Sequence, residues 1–322
     1  MFAVTVNVAS CVGFIVRENL IHRFYKNLYT GKEVRKMKIA LVTGANSGMG
    51  LAATIELAKR GMHVVMLCRD PRKGKVGWIS AKEQSGSNEI TLMHCDLGSL
   101  ESIRAFAEKF KEKFDRLDVL LNNAGVVSLK RELTKDGFES QLGINHLGHF
   151  LLTNLLLEEL KNAESGRIVV VSSGAHKWGS MSFQDPYFEK NYNAAKGYGR
   201  SKLANILFAT ALSKRLEGTN VTVNSVHPRA VATNLGVNRK TDFGRLITRA
   251  LKPFFLTAAE GAKTAIYLAT DPEIKDVTGK YFYKMKEAPV SVAARDELLA
   301  ERLWSWSEEQ VGLKNKEQET II

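Results

Sequence analysis

Tyr198 and Lys202 stand four residues apart in a chain of 322 residues. On a helix that spacing puts both side chains on one face, one turn apart. An unperturbed phenol titrates near about 10 and an unperturbed ammonium near about 10.4. An ammonium beside a phenol favours phenolate, so Lys202 is expected to draw the Tyr198 pKa down toward neutrality. Tyr198 would then serve as a general acid or base for a substrate oxygen. Ser172 and Ser173 end an apolar run upstream, at the kind of strand edge where open α/β sheets bind ligands. Taken alone, a tyrosine and a lysine at this spacing also describe a solvated surface pair.

A second chemistry-bearing stretch is Thr43-Gly44-Ala45-Asn46-Ser47-Gly48-Met49-Gly50. It follows a β-branched run and opens a helical pattern. Gly44 suits a tight exit from a strand. Gly48 leaves no side chain where backbone would meet a pyrophosphate, and Gly50 lets a helix pack closely on a sheet. The free N–H groups of that helix start would face the phosphates. A plain strand-to-helix turn is the blander alternative. After the next apolar run comes Arg69-Asp70, with Arg72 and Lys73 close behind. NAD sites usually hold the ribose 2′-hydroxyl with an acid at this strand end. Arg69 in that place suits a 2′-phosphate instead, so NADP(H) is expected over NAD(H). Asp70 could still turn toward the ribose, and Arg69 could be a solvated loop charge.

These residues need a scaffold, and the hydrophobic pattern supplies one. Apolar runs at 39–42, 63–67, 90–93, 119–121, 168–171 and 221–226 read as strands buried on both faces. Helical periodicity marks 48–60, 100–114, 137–160, 193–216, 258–269 and 292–306. Strand–helix alternation of this kind predicts an α/β fold. The expected architecture is a Rossmann-type, doubly wound parallel sheet of about seven strands. Helices should cover both faces within a single domain over 37–312. Residues 313–322 read as a polar tail.

Composition sets the remaining limits. The chain carries a formal charge of +12, of which residues 1–36 hold +4. Its cations are scattered and not interleaved with aromatics, which argues against nucleic acid as a partner. Cys11, Cys68 and Cys95 form no CxxC pair and no disulfide framework, which suits a reducing, cytoplasmic setting. Residues 2–16 are mostly apolar but shorter than the roughly 20 that a spanning helix needs. Residues 1–36 are read as an extension ahead of a start at Met37, or else as a weak membrane anchor.

The spacing TGxxxGxG, the pair YxxxK and a long strand–helix alternation together resemble the short-chain dehydrogenase/reductase family. The resemblance runs from Met37 to about Leu313. TGANSGMG looks most like its retinol dehydrogenase branch and bacterial relatives. The resemblance implies an NADP(H)-dependent oxidoreductase moving a hydride between nicotinamide and a carbonyl or alcohol. It assigns Ser173, rather than Ser172, to the substrate oxygen, with developing alkoxide stabilised there. It gives Lys202 a second role on the nicotinamide ribose. Asn145 would hold a water that joins a proton relay to Lys202, although a polar helix residue facing solvent is the plainer account. Asp96, followed by Leu97, would bind the adenine amino group, and Asn123-Ala124-Gly125 would line the adenosine side. Val231 and Thr233 would hold the carboxamide.

The chain departs from the family pattern at Arg229, where HPGxVxT has glycine. An arginine there would strain the loop by about 1 kcal/mol or more. His146 and His149 are taken as structural. Residues 174–195 and 234–256, rich in aromatics such as Trp178, Phe183 and Phe243, should form an apolar substrate mouth. A lipophilic aldehyde, ketone or alcohol is the expected partner, and a homo-oligomer fits family habit. The competing reading is a catalytically weak NADP-binding regulatory or scaffold protein.

Overall fold

The computed structural model describes residues 37–228 and 257–313. Eight strands form one sheet: β1 (Ile39–Thr43), β2 (His63–Cys68), β3 (Ile90–His94), β4 (Val119–Asn122), β5 (Gly166–Val171), β6 (Val221–His227), β7 (Tyr281–Tyr283) and β8 (Lys286–Glu287). Their order is β3-β2-β1-β4-β5-β6-β7-β8. The first seven run parallel, and β8 pairs antiparallel with β7. The chain reverses its winding between β1 and β4, where a crevice opens at the carboxyl ends of the strands.

Each central strand feeds two cores. Leu41, Val65, Leu120, Ile168 and Val223 join one, while Val42, Val64, Leu121 and Val169 join the other. Neighbouring residues of a strand point to opposite faces, so a sheet covered on both sides needs apolar residues throughout. That is why the strands read as continuous apolar runs. Helices α1 (Gly48–Lys59) and α2 (Pro71–Ser85) follow β1 and β2, and α3 (Leu100–Lys111) follows β3. Ser99 caps α3 by accepting the Ser102 N–H at 3.3 Å.

The sequence reading has no helix over 71–85. The reason lies in what α2 buries: Gly74, Gly77 and Ala81 rather than a stripe of large apolar side chains. A Cβ at Gly77 would come 2.7 Å from the Asn46 carbonyl oxygen, and one at Gly74 3.2 Å from Leu92, so α2 docks through Gly77 on the glycine-rich loop and through Gly74 on the strand side chains. The signals present were terminal ones. Asp70 is the N-cap, Pro71 opens the helix and Gly86 closes it at φ 69°. β7 and β8, of three and two residues, were also too short to show a pattern.

The expected helix over 137–160 is interrupted. It begins as Ser140–Leu142, widens into a π turn at Gly143–Leu147, and continues over Gly148–Leu155; these together are α4. A separate α5 (Leu157–Lys161) follows. A Cβ at Gly148 would fall on the Leu97 carbonyl oxygen, so α4 is pressed against the loop after β3. The remaining helices are α6 (Ala194–Arg215), α7 (Ala258–Thr270) and α8 (Glu297–Gln310), capped by Asn193, Thr257 and Asp296. Among the described residues no helix is long and apolar enough to cross a membrane. The expectations for 1–36, Arg229, Val231, Thr233, the 234–256 half of the substrate mouth and 314–322 lie outside the described residues.

Candidate active site

One cleft opens at the β1–β4 crevice. Gly44, Asn46, Ser47, Gly48, Met49 and Gly50 form its floor. Gly44 and Gly48 adopt φ of 64° and 55°, the left-handed region that glycine enters without strain. A Cβ at Gly50 would fall on the Gly44 carbonyl oxygen and 2.6 Å from Asn123 Nδ2. Ser47 is the N-cap of α1, yet its side chain makes no capping hydrogen bond. The first N–H groups of α1 therefore open onto the cleft, the arrangement that favours an anion.

The rest of the wall comes from neighbouring strand ends. Arg69, Asp96, Leu97, Asn123, Ala124 and Gly125 all line it. Asp70 does not: its carboxylate accepts the N–H groups of Arg72 and Lys73 at 2.9 and 3.1 Å. Those bonds, the Lys73 one foremost, hold its pKa below the usual carboxylate range. Asp70 thus caps α2 while Arg69 remains exposed beside the cleft. Asp96 accepts the Gly98 N–H at 3.0 Å and leaves the capping of α3 to Ser99. The floor is braced by Thr43, whose hydroxyl oxygen accepts the N–H groups of Asn123 and Ala124, each at 2.9 Å.

At the far wall the cleft meets the other candidates. A Cβ at Gly125 would lie 3.5 Å from Asn145 Oδ1 and 3.6 Å from Lys202 Nζ. Lys202 is buried, donates to the Val171 carbonyl at 3.0 Å, and lies 5.6 Å from the centre of the Tyr198 ring. Ser173 reaches the Tyr198 phenol and also accepts the Ala175 N–H at 3.2 Å. Ser172 turns away and donates to the Lys202 carbonyl at 2.7 Å.

Two expectations need correction here. The Tyr198 pKa is raised, not lowered: burial dominates, and the hydrogen bond with Ser173 only partly offsets it. Burial also pushes Lys202 down to about 8. Both charged forms are penalised because Lys202 has left water and Tyr198 is partly buried, and the ammonium is aimed at a backbone carbonyl. Asn145, in the π turn of α4, is fully buried rather than solvent-facing. Its amide donates to the Val126 carbonyl and to Ser201 Oγ, each at 3.0 Å, and its oxygen accepts the Val126 N–H at 2.8 Å. Both side-chain donors are committed to protein partners, while the amide oxygen, accepting one N–H, keeps a second acceptor site.

Burial also settles smaller points. His146 is buried against Ser307 Oγ at 2.8 Å, its pKa pushed down to about 3. Cys68 and Cys95 are buried thiols raised to about 11 and about 12 by loss of water. Of the expected substrate mouth, Phe183 packs on Trp306, and Tyr187 donates to Gln310 at 2.7 Å. These rings seat the 180–192 loop against α8, whereas Trp178 stays 62% exposed. The sequence reading passed over Val126 and Ile144 in the cleft wall. Both sit beside residues it did name, Gly125 and Asn145.

The short chain dehydrogenase family model matches residues 38–243. Human retinol dehydrogenase 14 is 46% identical over 291 residues, covering 86% of this chain and 87% of its own. Mouse retinol dehydrogenase 12 is 42% identical over 277 residues, with 86% and 87% covered. Among solved structures, an uncharacterised protein from Mycobacterium paratuberculosis superposes with a TM-score of 0.70 at 33% identity, covering 85% of this chain and 93% of its own. An actinorhodin polyketide ketoreductase with NADPH gives 0.62 at 26% identity, with 76% and 95% covered. The chain therefore belongs to the short-chain dehydrogenase family, in its retinol dehydrogenase-like branch, and is an oxidoreductase acting on CH–OH and C=O groups.

Proposed function

We propose that the protein is an NADP(H)-dependent carbonyl reductase or alcohol dehydrogenase for a lipophilic small molecule. The observation that carries this is a cleft that starts at an open helix N-terminus and runs to Gly125, which lies beside Lys202. The residues fit a nicotinamide dinucleotide. The glycine floor and the N-terminal N–H groups of α1 would hold its pyrophosphate. Arg69 would pair with the 2′-phosphate, since Asp70 is occupied in capping α2. Asp96 and Leu97 would meet the adenine, Asn123, Ala124 and Gly125 the adenosine side, and Lys202 the nicotinamide ribose. Val231 and Thr233 would hold the carboxamide. When bound, the nicotinamide supplies or accepts the hydride.

The chain's own groups handle the oxygen and its proton. Ser173 donates a hydrogen bond to the substrate oxygen and stabilises developing alkoxide character. Tyr198 gives that oxygen its proton in reduction and takes it back in oxidation. The raised Tyr198 pKa keeps the phenol protonated at neutral pH, which favours the reductive direction. Oxidation should accelerate as pH rises toward that pKa. Asn145 shapes the far wall by clamping Val126 and Ser201. The lipophilic substrate class follows from the retinol dehydrogenases that this chain resembles.

The test is NADPH oxidation with a panel of lipophilic aldehydes and ketones, run beside Tyr198→Phe. Wild-type turnover should fall about 10³-fold in the variant, within the range for loss of a general acid. Tight NADPH binding with no carbonyl turned over would instead favour an NADP-binding regulatory protein. Equal kcat/KM for NADH and NADPH would remove the preference assigned to Arg69.

A further inference from the structure

His149 lies where three segments of the site meet. It belongs to α4, one turn after Asn145, and is 1% exposed. Its Nδ1 is 3.0 Å from the Asn145 carbonyl oxygen, and its Nε2 is 2.9 Å from Thr43 Oγ1. A carbonyl oxygen only accepts, so Nδ1 carries the proton. Burial disfavours the charged ring, so Nε2 is a bare acceptor. Thr43 has one hydroxyl proton and two acceptors within reach, His149 Nε2 at 2.9 Å and the Leu121 carbonyl at 3.3 Å. The shorter bond takes it. The oxygen of Thr43 is then free to accept the N–H groups of Asn123 and Ala124.

The hydrogen-bond directions are thereby fixed along one line. The Asn123–Ala124 turn donates to Thr43, Thr43 donates to His149, and His149 donates to Asn145. Asn145 in turn clamps Val126 and holds Ser201, the residue before Lys202. A ring that only filled core space would need neither polar contact. A leucine would fill much of the same volume and would leave Thr43 and Asn145 without their partner.

We propose that His149 is a positioning residue that couples the cofactor wall of the cleft to the helix carrying Tyr198 and Lys202. The inference rests on reading the cleft as a nicotinamide site. Its two nitrogens do separable work. Nε2 sets the Thr43 hydroxyl and with it the Asn123–Ala124 turn that faces the cofactor. Nδ1 sets the π turn of Asn145, and through Ser201 the register of α6.

Two substitutions divide these roles. In His149→Asn the short amide can still donate to the Asn145 carbonyl but cannot reach Thr43. In His149→Gln the longer amide can accept from Thr43 but leaves Asn145. NADPH affinity is measured by fluorescence titration, and kcat by NADPH oxidation with an aldehyde that the wild type turns over. His149→Asn should lose mainly NADPH affinity, and His149→Gln mainly kcat, each by about tenfold for one buried hydrogen bond. Equal losses in both parameters for both variants would overturn the proposal and leave His149 a core histidine.

A measurement on the wild type alone covers the case of variants that fail to fold. Burial pushes the His149 pKa down to about 4, so its ring 15N shifts should show a protonated Nδ1 and a bare Nε2 from pH 8 down to about pH 5. An Nε2–H tautomer would overturn the proposal. A wild type that bound no NADPH would sink the cofactor reading, while the tautomer would still decide the wiring.

Discussion

At the end of the cleft proposed to hold the pyrophosphate, the groups on offer are backbone. Gly44, Gly48 and Gly50 matter through side chains they lack, and the N–H groups of α1 stand open because Ser47 does not cap them. At the end proposed to be catalytic the groups are side chains wholly or partly removed from water. Tyr198, Lys202, Asn145 and His149 hold their roles through burial and named hydrogen bonds. A backbone cradle tolerates little added volume but is indifferent to pH. A buried titratable cluster tolerates modest changes of shape but answers sharply to charge. The difference predicts which substitutions act on binding, which on turnover and which on stability.

The contrast breaks most visibly at Gly50. Gly50→Ala places a methyl against the Gly44 carbonyl, and overpacking against backbone costs about 1–3 kcal/mol. NADPH affinity should drop about 100-fold, read by fluorescence titration. An unchanged affinity would mean that the cradle is not where the cofactor sits.

Arg69→Ala sharpens the same end. Loss of one exposed charge pair with a 2′-phosphate should lower the NADPH-over-NADH ratio of kcat/KM about tenfold, corresponding to about 1.4 kcal/mol. The NADH value itself should barely move. A drop in both cofactors together would place Arg69 in the structure of the loop rather than in selectivity.

Lys202→Met tests the catalytic end from its least obvious side. Turnover should collapse, yet the fold should gain stability. The Val171 carbonyl keeps a second donor in Asn205 Nδ2 at 3.0 Å, so little is left unsatisfied. The folded pKa of Lys202, about 8, lies below its value of 10.5 in water. At pH 7 both folded and unfolded states are protonated, and the folded state bears the full cost of a buried ammonium. Removing it should raise the melting temperature by about 6 °C or more, taking about 3 kcal/mol from the shift. Between pH 8 and 10.5 the wild type sheds that proton on folding and recovers stability, so the gap should close. A melting temperature that falls at pH 7 would show Lys202 to be a structural cation.

Legibility followed the same division. The glycine floor could be read because its spacing is the function, and the strands because burial on both faces leaves no polar positions. α2 was missed because it docks through Gly74 and Gly77, so no apolar stripe announces it. The break in α4 at the π turn was missed because an apolar period continues through it while the hydrogen bonding changes. The Tyr198 and Lys202 pair was placed correctly as neighbours on α6, yet the direction of the phenol's shift was wrong. Spacing reports which groups can meet and says nothing of how much water they keep.

The sequence by itself determined the α/β alternation, the cradle between β1 and α1, and the residue types available at the sheet's carboxyl edge. These depend on local spacing and on side-chain size, which are written residue by residue. Only the tertiary structure decided that Asp70 turns to cap α2 and leaves Arg69 at the cleft. It alone decided that the Asn145 side chain is bound to protein, and that His149, beside Asn145, reaches Thr43 across 106 residues of chain. Those outcomes depend on which polar groups meet after distant segments pack, and in a buried site the nearest satisfied partner sets the role.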